Sequence, residues 1–511
     1  MINKAYKERS SCVKVNQKKL TVFSYMGINY AKSVQKKLRW STSQPKPLDL
    51  KYINTVGFIA PQLKQENDLL ADSSIEEQLA VADEQCLNLN IFTANKRGKL
   101  PVMVWIHGGG FQLGSGSLPS YEGTKLAQAG NVVVVSINYR LGALGFLRLC
   151  DISNGAIKST GNEGLTDQVT ALKWIKRNIG DYGGDKNNIT IFGESAGAMS
   201  IACLLASPKA KGLFHKAILQ SGASHTYSSI EKANNIAKEF INSANILGFT
   251  LKDLPTMTTE EILKVQTHFL TRPDIYQQFG MLPFCPVIEK ELLPLPPHQA
   301  IKQGSATGIP ILAGTNNDEW TFFAAMTGQN LKSQSSLELS LQVLMDRSLI
   351  PQCLTLANVA LSKRKREITY QNSINEVLGE YWFTQPCHRL LANHHLSGGD
   401  NYRYKLGRKT IIETLGCSHI TDIGFVFGHT NSAFHGTEAR VNELINEVQA
   451  SWAAFAHKGN PSTASIDWPS YEIDNKLSYV CFDHESTYID VHDLNSVYFW
   501  SNISDQQLAD F

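Results

Sequence analysis

The chain has 511 residues, of which 42% are apolar and 18% are charged, and its formal net charge is +2. This composition is typical of a globular protein with a large core, and the small charge argues against a nucleic acid or an anionic membrane surface as a partner. No apolar run approaches the roughly 18 residues that a membrane span needs, so we expect no integral membrane segment. Residues 1–20 are basic and polar, lack the apolar stretch of a signal peptide, and are expected to form an N-terminal tail.

Cysteine usage points to a reducing compartment. None of the cysteines lies in a C-x-x-C pair, so the sequence gives no sign of a zinc or redox motif. We expect mostly buried, free thiols and a cytoplasmic location. The chain contains nine cysteines: Cys12, Cys86, Cys150, Cys203, Cys285, Cys353, Cys387, Cys417 and Cys481.

The first half of the chain alternates predicted strands and helices. Strands are predicted over 100–107, 132–138 and 188–192, and a helix is predicted over 164–179. This alternation predicts an α/β fold with a mostly parallel central sheet and helices on both faces. Functional sites of such sheets form at the carboxyl ends of the strands.

Two glycine motifs lie at such ends. His107-Gly108-Gly109-Gly110 closes the strand over 100–107, and its glycines let backbone N–H groups approach a substrate. Gly193-Glu194-Ser195-Ala196-Gly197 lies between the strand over 188–192 and a helix predicted over 198–206, which is the context of a nucleophile elbow. Either motif alone also fits an ordinary glycine turn. Their order along the chain favours a serine nucleophile with an oxyanion hole.

The second half of the chain is richer in helix. We interpret residues 21–511 as one α/β domain that carries helical insertions at about 228–299 and 333–396 around the active site. The charge run over 363–367 is interpreted as a solvated helix face. Further strands are predicted over 309–314, 402–406 and 477–482, and a helix over 442–455.

Many short motifs occur in one order from about Thr21 to the C-terminus. Together they resemble the type-B carboxylesterase family, which is similar to cholinesterases and bacterial esterases of the α/β-hydrolase fold. The motifs are residues 26–31, 86–90, 107–111, 138–142, 161–168, 183–185, 190–197, 220–222, 318–319, 425–428 and 452–456.

The resemblance implies a catalytic triad of Ser195, Glu319 and His419. Spacing alone does not choose the base among fourteen histidines. The family places its histidine shortly before the motif at 425–428, so His419 is favoured over His429 and His435, and its acid selects Glu319 over Asp318. The order serine, acid, histidine is that of α/β-hydrolases. The implied oxyanion hole consists of the N–H groups of Gly109, Gly110 and Ala196. The implied structural ion pairs are Arg39–Glu84 and Arg140–Asp167.

The chain also departs from the family pattern. Gln85 replaces an aspartate, and no cysteine lies between Cys12 and Cys86, so the usual loop disulfide is not expected. This favours an intracellular, bacterial-type enzyme. Between Arg39 and Glu84 the only tryptophan is Trp40, which leaves no evident choline-binding aromatic. Where the family usually has glycine, the chain has Trp320 after the acid and Ile420 after the histidine.

These observations predict a carboxylic-ester hydrolase that acts on small to medium esters through an acyl-serine intermediate. The histidine would take the serine proton, and the glutamate would fix the imidazole tautomer. The chemistry requires no metal and no organic cofactor. The expected partner is a small-molecule ester, with no nucleic acid and no membrane segment, and the protein is expected to be a monomer or homodimer. Two alternatives stay open: a non-catalytic binding protein, and a hydrolase of amides, carbamates or lipid esters.

Three residues near the predicted site have open roles. Glu194 would tune the site electrostatically or serve as a buried strut. Ser221 would either join a hydrogen-bond network below the site or simply pack, with packing favoured. Cys417 suggests redox control, which we consider the weakest of these interpretations.

Overall fold

The structure is a computed structural model that describes residues 9–15, 18–47, 57–63, 81–472 and 477–509. Its centre is an eleven-stranded sheet in the order β1-β2-β3-β5-β4-β6-β7-β8-β9-β10-β11. The strands are β1 Arg9–Val15, β2 Lys18–Asn29, β3 Asn88–Thr93, β4 Leu100–Ile106, β5 Val133–Ile137, β6 Gly184–Glu194, β7 Lys216–Gln220, β8 Ile311–Asn316, β9 Asn401–Leu406, β10 Ser478–Phe482 and β11 Thr487–Val491.

The middle of the sheet is parallel and its edges are antiparallel. Strands β5, β4, β6, β7, β8, β9 and β10 pair in parallel. The pairs β1–β2, β2–β3, β3–β5 and β10–β11 are antiparallel. The predicted fold class, a mostly parallel sheet of the α/β-hydrolase type, is confirmed.

Helices cover both faces, and the sheet separates two hydrophobic clusters. Along β4, Val102, Val104 and Ile106 belong to one cluster, whereas Met103 and Trp105 belong to the other. Successive side chains of a strand point to opposite faces, so a strand buried on both sides is apolar at every position. This explains why β4 has a continuous apolar sequence that shows no alternation.

Most predicted elements form with small changes of boundary. The strand predicted over 188–192 extends over Gly184–Glu194, and the helix predicted over 442–455 extends over Ala439–Lys458. The expected N-terminal tail is partly wrong, because Arg9–Val15 pairs with β2 instead of lying free. Residues 1–8 of that tail lie outside the described residues.

None of the helices in the described ranges is both long and apolar enough to cross a membrane. Short 3-10 turns connect several of the helices, and a π turn at Glu380–Thr384 joins the helix Tyr370–Gly379 to the helix Gln385–Leu396. The helices are Thr124–Gly130, Gly142–Phe146, Glu163–Asn178, Ala196–Ala206, Ile230–Ile246, Thr259–Leu270, Pro273–Phe279, Pro297–Lys302, Trp320–Thr327, Gln334–Gln342, Ile350–Lys363, Tyr370–Gly379, Gln385–Leu396, Thr421–Phe427, Ser432–His435, Ala439–Lys458, Leu494–Trp500 and Asp505–Ala509.

Candidate active site

Ser195 occupies the sharp turn between β6 and the helix Ala196–Ala206. Its backbone has φ 54° and ψ −125°, a conformation that is strained for a residue with a side chain. The neighbouring strand leaves room only for glycine, because a Cβ added to Gly197 would overlap the carbonyl oxygen of Ile106. The turn has the geometry of a nucleophile elbow, and the Ser195 residue is the partly exposed one in a buried segment.

The glycine loop after β4 lies directly against this serine. A Cβ on Gly108 would lie 3.1 Å from Cβ of Ser195. Gly109 has φ +104°, and a Cβ there would overlap the carbonyl oxygen of Leu113, so only glycine fits. The N–H of Ala196 opens a helix and has no intrahelical acceptor. The structure therefore brings Gly108, which precedes Gly109 and Gly110 in the loop, against Ser195, and places the N–H of Ala196 at the elbow itself.

The carboxylate of Glu319 is held by three hydrogen bonds. It follows β8 and is 2% exposed. Oε1 accepts from the backbone N–H of Asn316 at 2.6 Å and from the hydroxyl of Ser221 at 2.7 Å. Oε2 lies 2.6 Å from Nδ1 of His419. The first two bonds hold the carboxylate in place, and the third fixes the orientation of the imidazole ring.

His419 lies in the loop before the helix Thr421–Phe427 and packs among aromatic rings. The ring centroids of Phe383 and Phe323 are 4.7 Å and 5.0 Å from its own. Its Nε2 is 3.0 Å from Oε1 of Glu194. Within the described residues, Nε2 does not share a hydrogen bond with Ser195. The structure thus brings Glu319 and His419 together and places Glu194, not the serine hydroxyl, at the second ring nitrogen.

Buried carboxylates shift the proton affinities of this site. Burial alone lowers the pKa of His419, but the charges of Glu194 and Glu319 outweigh it and raise the pKa above its ordinary value. Burial raises the pKa of Glu194; His419 opposes this shift, and Asp422 and Glu319 add to it. The imidazole therefore lies in a negative environment that stabilises its protonated form.

The alternative candidates for the acid and the base make contacts outside the predicted triad. The carboxylate of Asp318 accepts from the N–H of Cys417 at 2.8 Å and lies 3.4 Å from Arg364. His429 contacts the carbonyl oxygen of Glu122, and His435 contacts that of Thr421. Within the described residues, none of these three alternative side chains contacts a residue of the predicted triad.

Several interpretations of neighbouring residues need correction. Ser221, for which packing was favoured, donates to Glu319. The charge run over 363–367 is not simply a solvated face, because Arg364 pairs with Asp318 and Glu376. Cys417 is buried, its thiol donates to the carbonyl oxygen of Leu406, and burial raises its pKa, all of which argue against a reactive thiol.

Asp422 is a site neighbour that the sequence reading missed. Tyr404 donates to its carboxylate at 2.7 Å, and Gln220 donates at 2.9 Å. It lies three residues after His419, but a left-handed Ile420 separates the loop of His419 from the helix of Asp422, so no helical spacing in the sequence could have indicated this position.

Both ion pairs that the family resemblance implies are present, and the structure describes the two positions at which the chain lacks the usual glycine. Arg140 binds Asp167 through two bonds of 2.7 Å, and Nε of Arg39 lies 2.8 Å from Glu84. Ile420 adopts φ +67°, a left-handed conformation that is rare for a β-branched residue. Trp320 begins a helix immediately after Glu319.

The chain is similar to known carboxylesterases along most of its length. Residues 11–500 match the sequence profile of the carboxylesterase family. Para-nitrobenzyl esterase of Bacillus subtilis is 36% identical over 91% of this chain and 92% of its own length, and the liver carboxylesterase of Sus scrofa is 32% identical over 88% and 83%. The crystal structure of a Geobacillus stearothermophilus carboxylesterase superposes with a TM-score of 0.80 at 30% identity, over 94% of this chain and 96% of that one.

Proposed function

Because the chain belongs to the carboxylesterase family, it is a carboxylic-ester hydrolase, and we propose that Ser195, His419 and Glu319 form its catalytic triad. The hydrogen bond of 2.6 Å between Glu319 and Nδ1 of His419 carries this proposal. The strained conformation of Ser195 at the elbow supports the nucleophile assignment. We propose Gly109, Gly110 and Ala196 as the oxyanion hole, because Ala196 follows the serine directly and Gly108, in the same loop as the two glycines, lies against Ser195.

In this mechanism the imidazole is the proton carrier. With Glu319 holding Nδ1–H, the free electron pair of the ring is on Nε2. For attack, Nε2 exchanges its contact with Glu194 for one with the Ser195 hydroxyl and takes the serine proton as the Oγ–C bond forms. The imidazolium then gives this proton to the leaving alcohol. Water repeats the cycle on the acyl-serine and regenerates the hydroxyl.

The oxyanion hole supplies most of the electrostatic stabilisation. As Ser195 attacks, negative charge develops on the carbonyl oxygen of the ester. The N–H groups of Gly109, Gly110 and Ala196 would donate to that oxygen, and the loss of one such donor typically costs about 10²–10³ in rate. A glycine loop serves this purpose because a side chain at Gly109 would overlap the backbone of Leu113.

A labelling experiment tests the triad. We expect a fluorophosphonate to modify Ser195 alone and Ser195→Ala to reduce hydrolysis of p-nitrophenyl acetate and butyrate to near background. Ser200→Ala is the matched control, because Ser200 is a buried serine on the same helix. Labelling of another serine, or full turnover by Ser195→Ala, would contradict the proposal.

We further infer a cytoplasmic protein that is a monomer or homodimer and folds as one domain over residues 21–511. The eight cysteines from Cys86 to Cys481 are free, which supports a reducing compartment. Cell fractionation tests the location, sedimentation tests the assembly, and a single calorimetric transition tests the domain. Activity in a periplasmic fraction would contradict the location, a larger oligomer would contradict the assembly, and two separate transitions would contradict the single domain.

A further inference from the structure

The last strand of the sheet, β11, is an exposed edge with apolar side chains. It pairs with β10 on one side, and no strand in the described ranges pairs with its other side. Ile489 is 54% exposed and Val491 is 52% exposed. The helix that follows also carries exposed apolar residues. Within 488–498 the large exposed apolar side chains are Tyr488, Ile489, Val491, Leu494 and Tyr498.

This edge lacks the features with which edge strands usually avoid pairing. Such strands often carry lysine, proline or a bulge. The sequence of β11, Thr-Tyr-Ile-Asp-Val, has neither lysine nor proline, and Asp490 is its only charged residue. Each residue of β11 faces one residue of β10 in a regular register. The strand at the opposite edge, β1, contains Arg9 and Lys14. Of the two edges, β11 is therefore the one that can accept a further strand.

Two hydrogen bonds show which backbone groups of β11 face β10. Alternate residues of an antiparallel strand direct their N–H and C=O groups to opposite sides. The N–H of His492 donates to the carbonyl oxygen of Leu477 at 2.9 Å. At the other end, the carbonyl oxygen of Ser486 accepts from the N–H of Asp483 at 3.1 Å. The even-numbered residues of this segment therefore face β10.

The odd-numbered residues of β11 direct their backbone groups away from the sheet. These residues are Thr487, Ile489 and Val491. The N–H of Val491 bonds the side chain of Asp490 at 2.8 Å, and not β10, as this direction requires. The free edge thus offers three evenly spaced positions, each with one N–H and one C=O group.

A second copy of β11 matches these groups when a two-fold axis passes through Ile489. In this antiparallel register position 489 faces position 489, and positions 487 and 491 face each other. Each of these facing pairs can form two backbone hydrogen bonds. Tyr488 then faces Asp490 of the second copy. A register centred on Asp490 would oppose two carboxylates, and one centred on Tyr488 would leave Val491 without a facing residue, so the register centred on Ile489 is favoured.

The same register continues the apolar surface of the sheet. Ile489 faces Val480 of β10, which is buried in the hydrophobic cluster on that side of the sheet. The two facing Ile489 side chains would extend this row from one copy to the other, and cross-strand pairs of β-branched residues stabilise a sheet. Glu485 and Asp493 would face each other two positions beyond the last pair, where Asp493 already contacts Lys363.

We propose that the protein forms a two-fold dimer in which the β11 strands of two copies pair antiparallel across Ile489. This dimer specifies the homodimer among the assemblies proposed above, and it does not depend on the triad. One short strand pair is a small interface, so the dimer should be weak. Ser195 follows β6, in the middle of the sheet, so the activity of each subunit should not depend on association.

Sedimentation of the full-length protein tests the dimer. The mass should rise from that of a monomer to that of a dimer between about 1 µM and about 1 mM protein. Ile489→Lys places two like charges opposite each other and should stay monomeric throughout this range. Leu339→Lys is the matched control, because Leu339 is an equally apolar, 67% exposed residue on another helix, and it should keep the dimer. Both variants should keep the parent kcat/KM for p-nitrophenyl acetate, which also shows that they fold.

Cysteine cross-linking tests the register. Facing residues of a hydrogen-bonded pair have Cα atoms about 5.5 Å apart, within the range of a disulfide. We therefore expect Ile489→Cys to form a disulfide-linked dimer under mild oxidation. Val491→Cys is the control, because its two copies would lie four residues apart along the strands, about 14 Å, and should not be linked. The parent protein under the same oxidation gives the background from its own cysteines.

Three results would overturn this dimer. They are a parent protein that stays monomeric at about 1 mM, a dimer that survives Ile489→Lys, and cross-linking of Val491→Cys that equals that of Ile489→Cys. Should Ile489→Lys lose its activity, Ile489→Pro replaces it, because it removes an N–H that faces away from β10 and is tolerated on an edge strand. A monomeric protein would leave the triad and the monomer proposed above intact, whereas full turnover by Ser195→Ala contradicts the triad alone.

Discussion

Replacing Glu194 by glutamine tests whether this carboxylate sets the pH range of the reaction. His419 Nε2 and Glu194 Oε1 are 3.0 Å apart, and both side chains are buried. Two unit charges at this distance interact by about 5.5 kcal/mol at an effective dielectric constant of about 20, which corresponds to about 4 pKa units. Because burial raises the pKa of Glu194, this carboxyl is only partly ionised near neutrality. We therefore expect Glu194→Gln to lower the pKa of His419 by about one to two units.

The assay is the pH dependence of kcat/KM. The imidazole works as a base only when Nε2 is unprotonated, so its pKa determines the acid limb of the profile in the free enzyme. In the parent protein the carboxylates raise this pKa, and activity is lost as the pH falls through it. Removing the charge of Glu194 should move the acid limb to lower pH by the same one to two units. This shift corresponds to a decrease of about 10- to 100-fold in the proton affinity of the imidazole.

Asp422→Asn is the matched control for that experiment. Its carboxylate also raises the pKa of His419, but less than Glu194 and Glu319 do, and it already accepts bonds from Tyr404 and Gln220. We expect a smaller shift in the same direction. An acid limb that stays in place in a folded Glu194→Gln variant, or a larger shift in Asp422→Asn, would refute the reasoning.

Three further substitutions have defined outcomes. Ser221→Ala removes the bond of 2.7 Å to the side chain of Glu319; hydrogen bonds to carboxylates contribute about 1.5–3 kcal/mol, so kcat should fall about 10- to 100-fold. Asp167→Asn leaves the charge of buried Arg140 unpaired and should lower the free energy of unfolding in urea by about 3–5 kcal/mol. Ile420→Gly relieves left-handed strain of about 1–3 kcal/mol, against a glycine entropy cost of about 1 kcal/mol and the loss of a partly buried side chain that packs on the core, so the unfolding free energy should change by less than about 2 kcal/mol.

Each of these has a control in the chain. Ser224→Ala changes a buried serine that does not contact Glu319, and it should keep kcat. Glu291→Gln breaks an exposed pair with Lys209 and should change the unfolding free energy by less than about 1 kcal/mol. Ile423→Gly places glycine within a helix and should destabilise clearly. A variant that behaves like its control contradicts the corresponding prediction.

The local sequence determined the elements and the elbow. Strand β4 is recognisable because a strand buried on both faces is apolar throughout, and the elbow is recognisable because glycines flank Ser195, although the contact that requires Gly197 comes from Ile106 on the neighbouring strand. The same local rule misplaced the tail, because the pairing of Arg9–Val15 with β2 depends on a partner strand that a tail of polar residues does not signal.

Choosing the acid and the base required either a family pattern or the tertiary structure. Sequence spacing alone does not distinguish His419 from His429 and His435 as the base. The hydrogen bond between His419 and Glu319 joins residues 100 positions apart in the chain. Contacts at such separations depend on how the strands are ordered in the sheet, which local propensity does not encode. For the same reason only the structure revealed that Glu194 lies at Nε2 of His419 and that the carboxylate of Asp422 accepts hydrogen bonds from Tyr404 and Gln220.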